Sequence, residues 1–263
     1  LDVGGPDRNI WVWDTRRKLL ECVTLNPAED GWPRWSPDGH WLFFASMRDG
    51  RVPNIYRQAA DRSGIAERVI VSGRLQHPTG FAPDGKLLIT ERAPDNGLSD
   101  IVAYSFDTRR VEPVITEGDE GAGAVSPDGR WIAYESLESG QIEVYVRPYP
   151  KTDGGRWRVS RNGGRQAAWS PDARELFYRD YGGALIAVPV PPGPRFLPGE
   201  QLTILAAQTI YAGSGAAITS RTYDVSPDGS RFLMIRIGNG NRQSSLIVVQ
   251  NWSEELKARA SVR

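Results

Sequence analysis

The sequence predicts an all-β protein, a β-propeller of four-stranded antiparallel blades, on three observations. A turn of S-P-D-G type recurs five times, as Ser36-Pro37-Asp38-Gly39, Ala82-Pro83-Asp84-Gly85, Ser126-Pro127-Asp128-Gly129, Ser170-Pro171-Asp172-Ala173 and Ser226-Pro227-Asp228-Gly229. The spacings between the starts of these motifs are 46, 44, 44 and 56 residues, and blade repeats typically run ~40–45 residues. Each motif lies between short segments rich in β-branched and aromatic residues that alternate with period two, the signature of strands.

The motif has the chemistry of a tight hairpin. Proline presets φ at the first central position, aspartate caps the turn backbone, and glycine accepts positive φ. The aspartates therefore read as turn caps and not as catalytic acids. Ala173 stands where the other four repeats have glycine, and a left-handed alanine there costs about 1–2 kcal/mol.

Four strands are expected in each unit. The first ends just before the motif, at Trp35, Phe81, Val125, Trp169 and Val225. The second follows it, at Trp41 to Ala45, Leu87 to Thr90, Trp131 to Glu135, Glu175 to Tyr178 and Phe232 to Ile235. Third strands are expected at Asn54 to Arg57, Asp100 to Ser105, Glu143 to Arg147, Ala184 to Val188 and Ser245 to Val249. Fourth strands are expected at Glu67 to Val71, Val111 to Thr116, Arg156 to Ser160 and Gln201 to Leu205. The last unit has none of its own.

Before the first motif, residues 1–3, Asn9 to Asp14 and Leu19 to Thr24 read as the end of a second strand, a third strand and a fourth strand. The expected organisation is one propeller domain over residues 1–263: a partial blade at 1–24, five repeat units at 25–252, and a short helical tail at 253–263. The total is five or six blades. An exposed sheet edge is a liability that ring closure removes, so Leu19–Thr24 is expected to complete the last blade.

Composition narrows the function. Lys plus Arg and Asp plus Glu are both 32, giving a formal net charge of zero, whereas nucleic-acid binders usually show a basic excess or stripe. No run approaches the ~20 apolar residues needed to cross a bilayer. No leader peptide is read, and the chain starts at Leu1, so a fragment or processed form is expected. The one cysteine, Cys22, reads as a buried strand residue, and with only His40 and His77 no multi-histidine metal site is expected. His40, beside the first turn, is expected to be exposed. No cofactor is implied.

No catalytic motif is present: Ser214, in A-G-S-G-A, lacks the glycine spacing of a nucleophile elbow. The candidate site comes from what does not repeat. Five residues before each motif stand Gly31, His77, Gly121, Arg165 and Arg221; one residue earlier stand Asp30, Gln76, Glu120, Gly164 and Ser220. These positions lead into the first strands and are expected to ring one mouth of the central channel, a natural place for a ligand. The candidate binding residues are Asp30, Trp32, His77, Glu120, Arg165 and Arg221. The arginines suit a carboxylate or phosphate, and Asp30 and Glu120 suit pairing with them or with a cation. The same charges are equally suited to satisfying one another. Residues 206–220 form an insertion at the same mouth, and Pro189 to Gly199 reads as a stiff connection. Trp11, Trp13, Trp35, Trp41, Trp131, Trp157 and Trp169 are expected to pack between blades, with Trp32 set apart beside the mouth.

Several segments resemble a known family: Asp7 to Asp14 (D-R-N-I-W-V-W-D), Asp128 to Pro150, Arg221 to Ile235 (R-T-Y-D-V-S-P-D-G-S-R-F-L-M-I) and Val248 to Lys257 (V-V-Q-N-W-S-E-E-L-K). With the repeats, they resemble the TolB-like, WD-repeat-related propellers over essentially the whole chain. More narrowly they are similar to the C-terminal propeller of bacterial eukaryotic-like serine/threonine kinases. That resemblance implies a non-catalytic, sensor-like domain of a larger signalling protein, lying outside the cytoplasm and binding a small molecule, peptide or protein at the mouth. A propeller hydrolase or lyase, using a pair such as His77 with Glu120, is the alternative. A scaffold that self-associates through the incomplete end blade is the third.

Overall fold

Every S-P-D-G turn closes a hairpin between the first and second strands of its sheet. The N–H of the fourth residue donates to the carbonyl of the first in all five, at 2.8–2.9 Å. Gly39, Gly85, Gly129 and Gly229 have φ between +69° and +83°, and Ala173 takes the same conformation at +59°. Each aspartate caps its turn as expected; Asp38, for example, accepts from the His40 N–H at 2.9 Å and from the Ser36 hydroxyl at 2.5 Å. The serine has a role of its own. Its Oγ accepts the N–H five residues on, at 2.9–3.0 Å in the four motifs that have it.

The computed structural model describes residues 2–3, 8–206, 221–237 and 244–250, and the chain divides into two compact units, Leu1–Gly121 and Ala122–Arg263. In the first unit, β1 (Asp2–Val3), β2 (Asn9–Asp14) and β3 (Leu19–Cys22) form a three-stranded sheet. Next come β4 (Asp30–Trp35), β5 (Trp41–Ser46), β6 (Asn54–Ala59) and β7 (Glu67–Arg68), then β8 (Leu75–Phe81), β9 (Leu87–Arg92), β10 (Ser99–Ser105) and β11 (Arg110–Ile115). Each set is an antiparallel meander with strands in chain order. Phe43, Ile55, Leu87, Ile89 and Val102 pack these two sheets together, while Ile10, Leu42, Phe44 and Tyr56 join the first sheet to the second.

The second unit repeats the plan with β12 (Glu120–Val125), β13 (Trp131–Ser136), β14 (Glu143–Pro148) and β15 (Trp157–Arg158), followed by β16 (Arg165–Trp169), β17 (Glu175–Arg179), β18 (Leu185–Pro189) and β19 (Leu202–Leu205). A last sheet holds β20 (Tyr223–Val225), β21 (Arg231–Ile237) and β22 (Ser244–Gln250). Trp131, Val144, Trp169, Leu176, Tyr178 and Phe196 form the larger core of this unit, and Phe177 meets Phe232 edge to face at 4.9 Å in the smaller one.

These sheets correct the expected blade count. Among the described residues four sheets carry four strands, not five or six, and the sheets at the two ends carry three. The strand expected to close the ring, Leu19–Thr24, is instead β3, paired with β2 through Trp11↔Cys22 to Asp14↔Leu19. Local pairing across a four-residue connection costs little loop entropy, and pairing of distant chain ends has no such advantage. The expected C-terminal helix at 253–263 lies outside the described residues, as does nearly all of the 206–220 insertion.

Two smaller expectations also change. Trp131 and Trp169 are buried in the core, but Trp13 and Trp35 remain 43% and 49% exposed and do not pack between sheets. Cys22 is only half-buried, its thiol donating to the Thr24 carbonyl at 3.1 Å. His40 is exposed, as expected. Pro189 to Gly199 folds over the preceding sheet: Phe196 is buried with its ring 5.3 Å from that of Trp131 on β13, and the Gly199 N–H donates to the Pro189 carbonyl at 2.7 Å.

Candidate functional site

The first strands are not regular. A bulge interrupts β4 between Gly31 and Arg34, β8 between Pro78 and Gly80, and β16 between Arg165 and Ala168. At the same repeat position, four residues before the motif, Trp32, Ala122 and Gln166 take positive φ of 55°, 52° and 62°. A non-glycine residue there costs about 1–2 kcal/mol. Bulges of this kind re-aim side chains and are over-represented beside functional sites. The candidate residues Trp32, His77 and Arg165 lie at or next to these bulges.

In the first unit the bulges bring Trp32 and His77 together. Their rings stack with centroids 5.3 Å apart and planes 25° apart, and the Arg8 guanidinium lies 5.6 Å from the Trp32 ring. His77 is 3% exposed, and neither Nδ1 nor Nε2 has a hydrogen-bond partner. Two neighbours on β8 share that state: the Gln76 Oε1 and the Thr79 hydroxyl are also buried and unpaired. Arg34 beside them is engaged, donating from Nε to the Thr79 carbonyl at 2.7 Å and from Nη1 to the Pro33 carbonyl at 2.9 Å. Burial, aided by the Arg34 charge, pushes the His77 imidazole down to about 3. At neutral pH it is therefore an uncharged ring offering one donor and one acceptor.

Asp30 and Glu120 have other work. Asp30 is buried, its N–H donating to the Arg8 carbonyl at 2.8 Å and its carboxylate held by Arg48 at 3.1 Å. Arg48 in turn lies over the rings of Phe44 and Tyr56, at 5.3 and 4.7 Å. Glu120 folds back on its own backbone, where Oε2 accepts the Gly118 N–H at 3.0 Å.

In the second unit Arg221 is also committed, through Nε to the Tyr223 carbonyl at 3.1 Å and Nη2 to Asp224 at 2.7 Å. Arg165 is not. Its Nε is buried without a partner, and its guanidinium lies 5.8 Å from the Tyr181 ring. Beside it is a carboxyl that the sequence reading missed, Glu135 on β13, which accepts the Gln166 N–H at 2.7 Å. Burial pushes Glu135 up to about 7, against the lowering effects of that hydrogen bond and of the Arg165 charge. A signal for it was present: nine residues after each motif start stand Ala45, Glu91, Glu135, Arg179 and Ile235, so charge intrudes at an otherwise apolar strand position. Among the described residues, no group of three or more His, Cys, Asp or Glu is placed to hold a metal ion, and no helix is long and apolar enough to cross a membrane.

Comparison with known proteins bears on the fold. A family model described as the TolB beta propeller domain (PD40) matches residues 2–173. A curated protein of Bacillus subtilis (strain 168) called "Uncharacterized peptidase YuxL" is 24% identical over 174 residues, 65% of this chain and 24% of that protein. Among solved structures, TolB from Acinetobacter baumannii aligns with a TM-score of 0.71 at 20% identity, over 94% of this chain and 58% of that one. A puromycin-hydrolyzing peptidase of Mycobacterium tuberculosis aligns at 0.63 and 15%, over 93% and 42%. The chain thus spans about a quarter of the curated relative and under two thirds of either structure. At these identities the structural likeness is one of fold.

Proposed function

We propose that this chain, which belongs to the TolB β-propeller domain family, is a non-catalytic ligand- or protein-binding module of a larger protein. One observation carries this reading. Four unpaired buried polar atoms, on Gln76, His77 and Thr79, lie on one bulged strand whose His77 ring stacks on Trp32. Buried polar groups in native proteins are almost always satisfied, and a concentration of exceptions marks a place where a ligand or ordered water belongs. Trp32 supplies an aromatic cover on a strained backbone, the kind of element that can yield to an entering group. A sensor-like role in bacterial signalling is supported by the resemblance of segments such as Val248 to Lys257 to kinase-linked propellers, and stands or falls with it.

A thermal-shift screen of neutral hydrogen-bonding compounds (sugars, polyols, amides) on the full chain tests the reading. Hits are expected to raise the melting temperature of the native chain and to lose that effect in His77→Phe. Hits that shift both proteins equally would show that binding occurs elsewhere.

A second reading, a hydrolase, is favoured by Glu135, whose carboxyl titrates where a general acid or base operates. The peptidase names of two relatives lend it a class of substrate to try. Peptide and ester turnover by the native chain that disappears in Glu135→Gln would establish it. The pair His77 and Glu120 is poorly suited to that role, since His77 is held neutral down to about 3.

A further inference from the structure

We propose that Arg165 and Glu135, in the second unit, form a binding site for a small carboxylate, held by the guanidinium and by the Glu135 carboxyl. The site is separate from the one beneath Trp32 and does not depend on it.

The argument starts from two groups that are close and yet not joined. Arg165 follows Gly163 and Gly164, and among the described residues its side chain makes no hydrogen bond or ion pair, lying instead 5.8 Å from the Tyr181 ring. Its Nε is already withdrawn from water. A guanidinium presents a planar fork suited to two parallel bonds to a carboxylate, and leaving a buried donor unpaired is costly. Glu135 is bonded to the backbone N–H of Gln166, the residue after Arg165, but no ion pair joins Glu135 to Arg165 among the described residues. One hydrogen bond, from the Gln166 N–H, occupies Oε1, leaving the carboxyl with bonding capacity to spare.

Their surroundings are rigid. Tyr181 is fixed by accepting the Ile142 N–H at 3.0 Å, and its ring lies against Gly163, where a Cβ would approach to 2.4 Å. Gln166 is locked at φ 62°. Its side-chain oxygen takes the Thr222 N–H and hydroxyl at 3.1 and 2.9 Å, and its carbonyl takes the Tyr223 hydroxyl at 2.7 Å. Such a preformed frame lowers the cost of ordering a ligand.

The charges make the site pH-dependent. Glu135 lies near the charge of Arg165 on β16 and near Tyr223 on β20, and Tyr223 in turn lies near Arg179 on β17, which is bonded to Thr222 at 3.0 Å. Across its own hairpin Glu135 faces Val144, and β12 from Gly121 onward offers only Gly, Ala and Val. With Glu135 protonated, the site has an unneutralised guanidinium and an O–H donor, both suited to an anion. Once Glu135 ionises, it neutralises Arg165 and repels the ligand.

The test is calorimetric titration of the full chain with propionate, in buffers free of carboxylates. The protonated fraction of a group titrating near 7 falls about tenfold between about pH 6 and about pH 8, and the affinity is expected to fall by the same factor. Arg165→Gln should weaken binding at least about tenfold at the lower pH, with Arg165→Lys recovering part of it. Glu135→Gln should bind at both pH values with no difference between them. Arg221→Gln should bind as the native chain does. No propionate binding at the lower pH by the native chain would overturn the proposal. So would an Arg165→Gln protein, folded by circular dichroism, that binds normally, or a pH dependence that survives in Glu135→Gln.

Discussion

Trp32 and His77 lie on the first strands of successive sheets and stack at 5.3 Å, although neither nitrogen of the histidine reaches a hydrogen-bond partner. The stack buries an ionisable ring against an aromatic face instead of in a polar network. A consequence follows for acid stability. The folded value, about 3, lies below the ordinary 6.5, so between them the unfolded chain binds a proton that the folded chain does not. This contribution is complete above the ordinary value and is lost as pH falls toward the folded one. The slope is up to about 1.4 kcal/mol per pH unit. Urea melts across that range should show it in the native chain and show it reduced in His77→Gln; an unchanged slope would assign the acid sensitivity to other groups.

Glu135 acts in the opposite direction. Its folded value, about 7, is above the ordinary 4.5, so the folded chain holds the extra proton. The stability this represents is present below the ordinary value and is lost as pH rises through about 7. Because the side chain keeps some exposure, the total is on the order of 2 kcal/mol. Glu135→Gln should therefore melt higher than the native chain on the alkaline side and close to it on the acid side. Equal differences at both ends would point to packing.

The Asp30–Arg48 pair is structural. With Asp30 inaccessible and Arg48 only 14% exposed at the side chain, removing one partner strands the other charge, at about 3 kcal/mol. Arg48→Ala should lower the denaturation midpoint by that measure, and Arg48→Ala with Asp30→Asn should recover part of the loss. Ligand binding at Trp32–His77 or at Arg165 should be unaffected by the double variant.

Ala173 carries backbone strain in a turn that otherwise uses glycine, at φ +59°. Ala173→Gly should stabilise the second unit by about 1 kcal/mol, the relief of left-handed strain less the added chain entropy of glycine. The reverse change at the equivalent turn, Gly129→Ala (φ +71°, with open space around the site), should destabilise by a similar amount. Thermal melts of both variants provide the check.

The strands and turns could be read directly because their determinants are local. Proline at the second turn position, aspartate at the third and an alternating run on either side act within ten residues, and the observed hairpins follow them closely. The candidate site was legible only in part. His77 and Arg165 were identified as departures from the repeat, and each has a buried side-chain nitrogen without a hydrogen-bond partner. Asp30 and Arg221 looked the same in sequence but are satisfied, by Arg48 and by Asp224. Nothing in local sequence says which of two similar charges will meet a counter-charge. Glu135 was missed because it sits in a second strand, and its altered titration comes from the burial that neighbouring strands impose.

The sequence by itself determined the repeat, the turn chemistry, the four-stranded sheet and membership of a propeller family, because these rest on short-range preferences repeated until they are unambiguous. Tertiary structure decided the rest. Among the described residues it set four complete sheets and a three-stranded sheet at each end, and it paired β3 with β2 across a short connection. It also placed the bulges that turn Trp32 onto His77 and hold Gln166 against Glu135, and so decided which buried polar groups are left without a hydrogen-bond partner. Burial and charge are summed over neighbours remote in the chain, which no local reading of residues can supply.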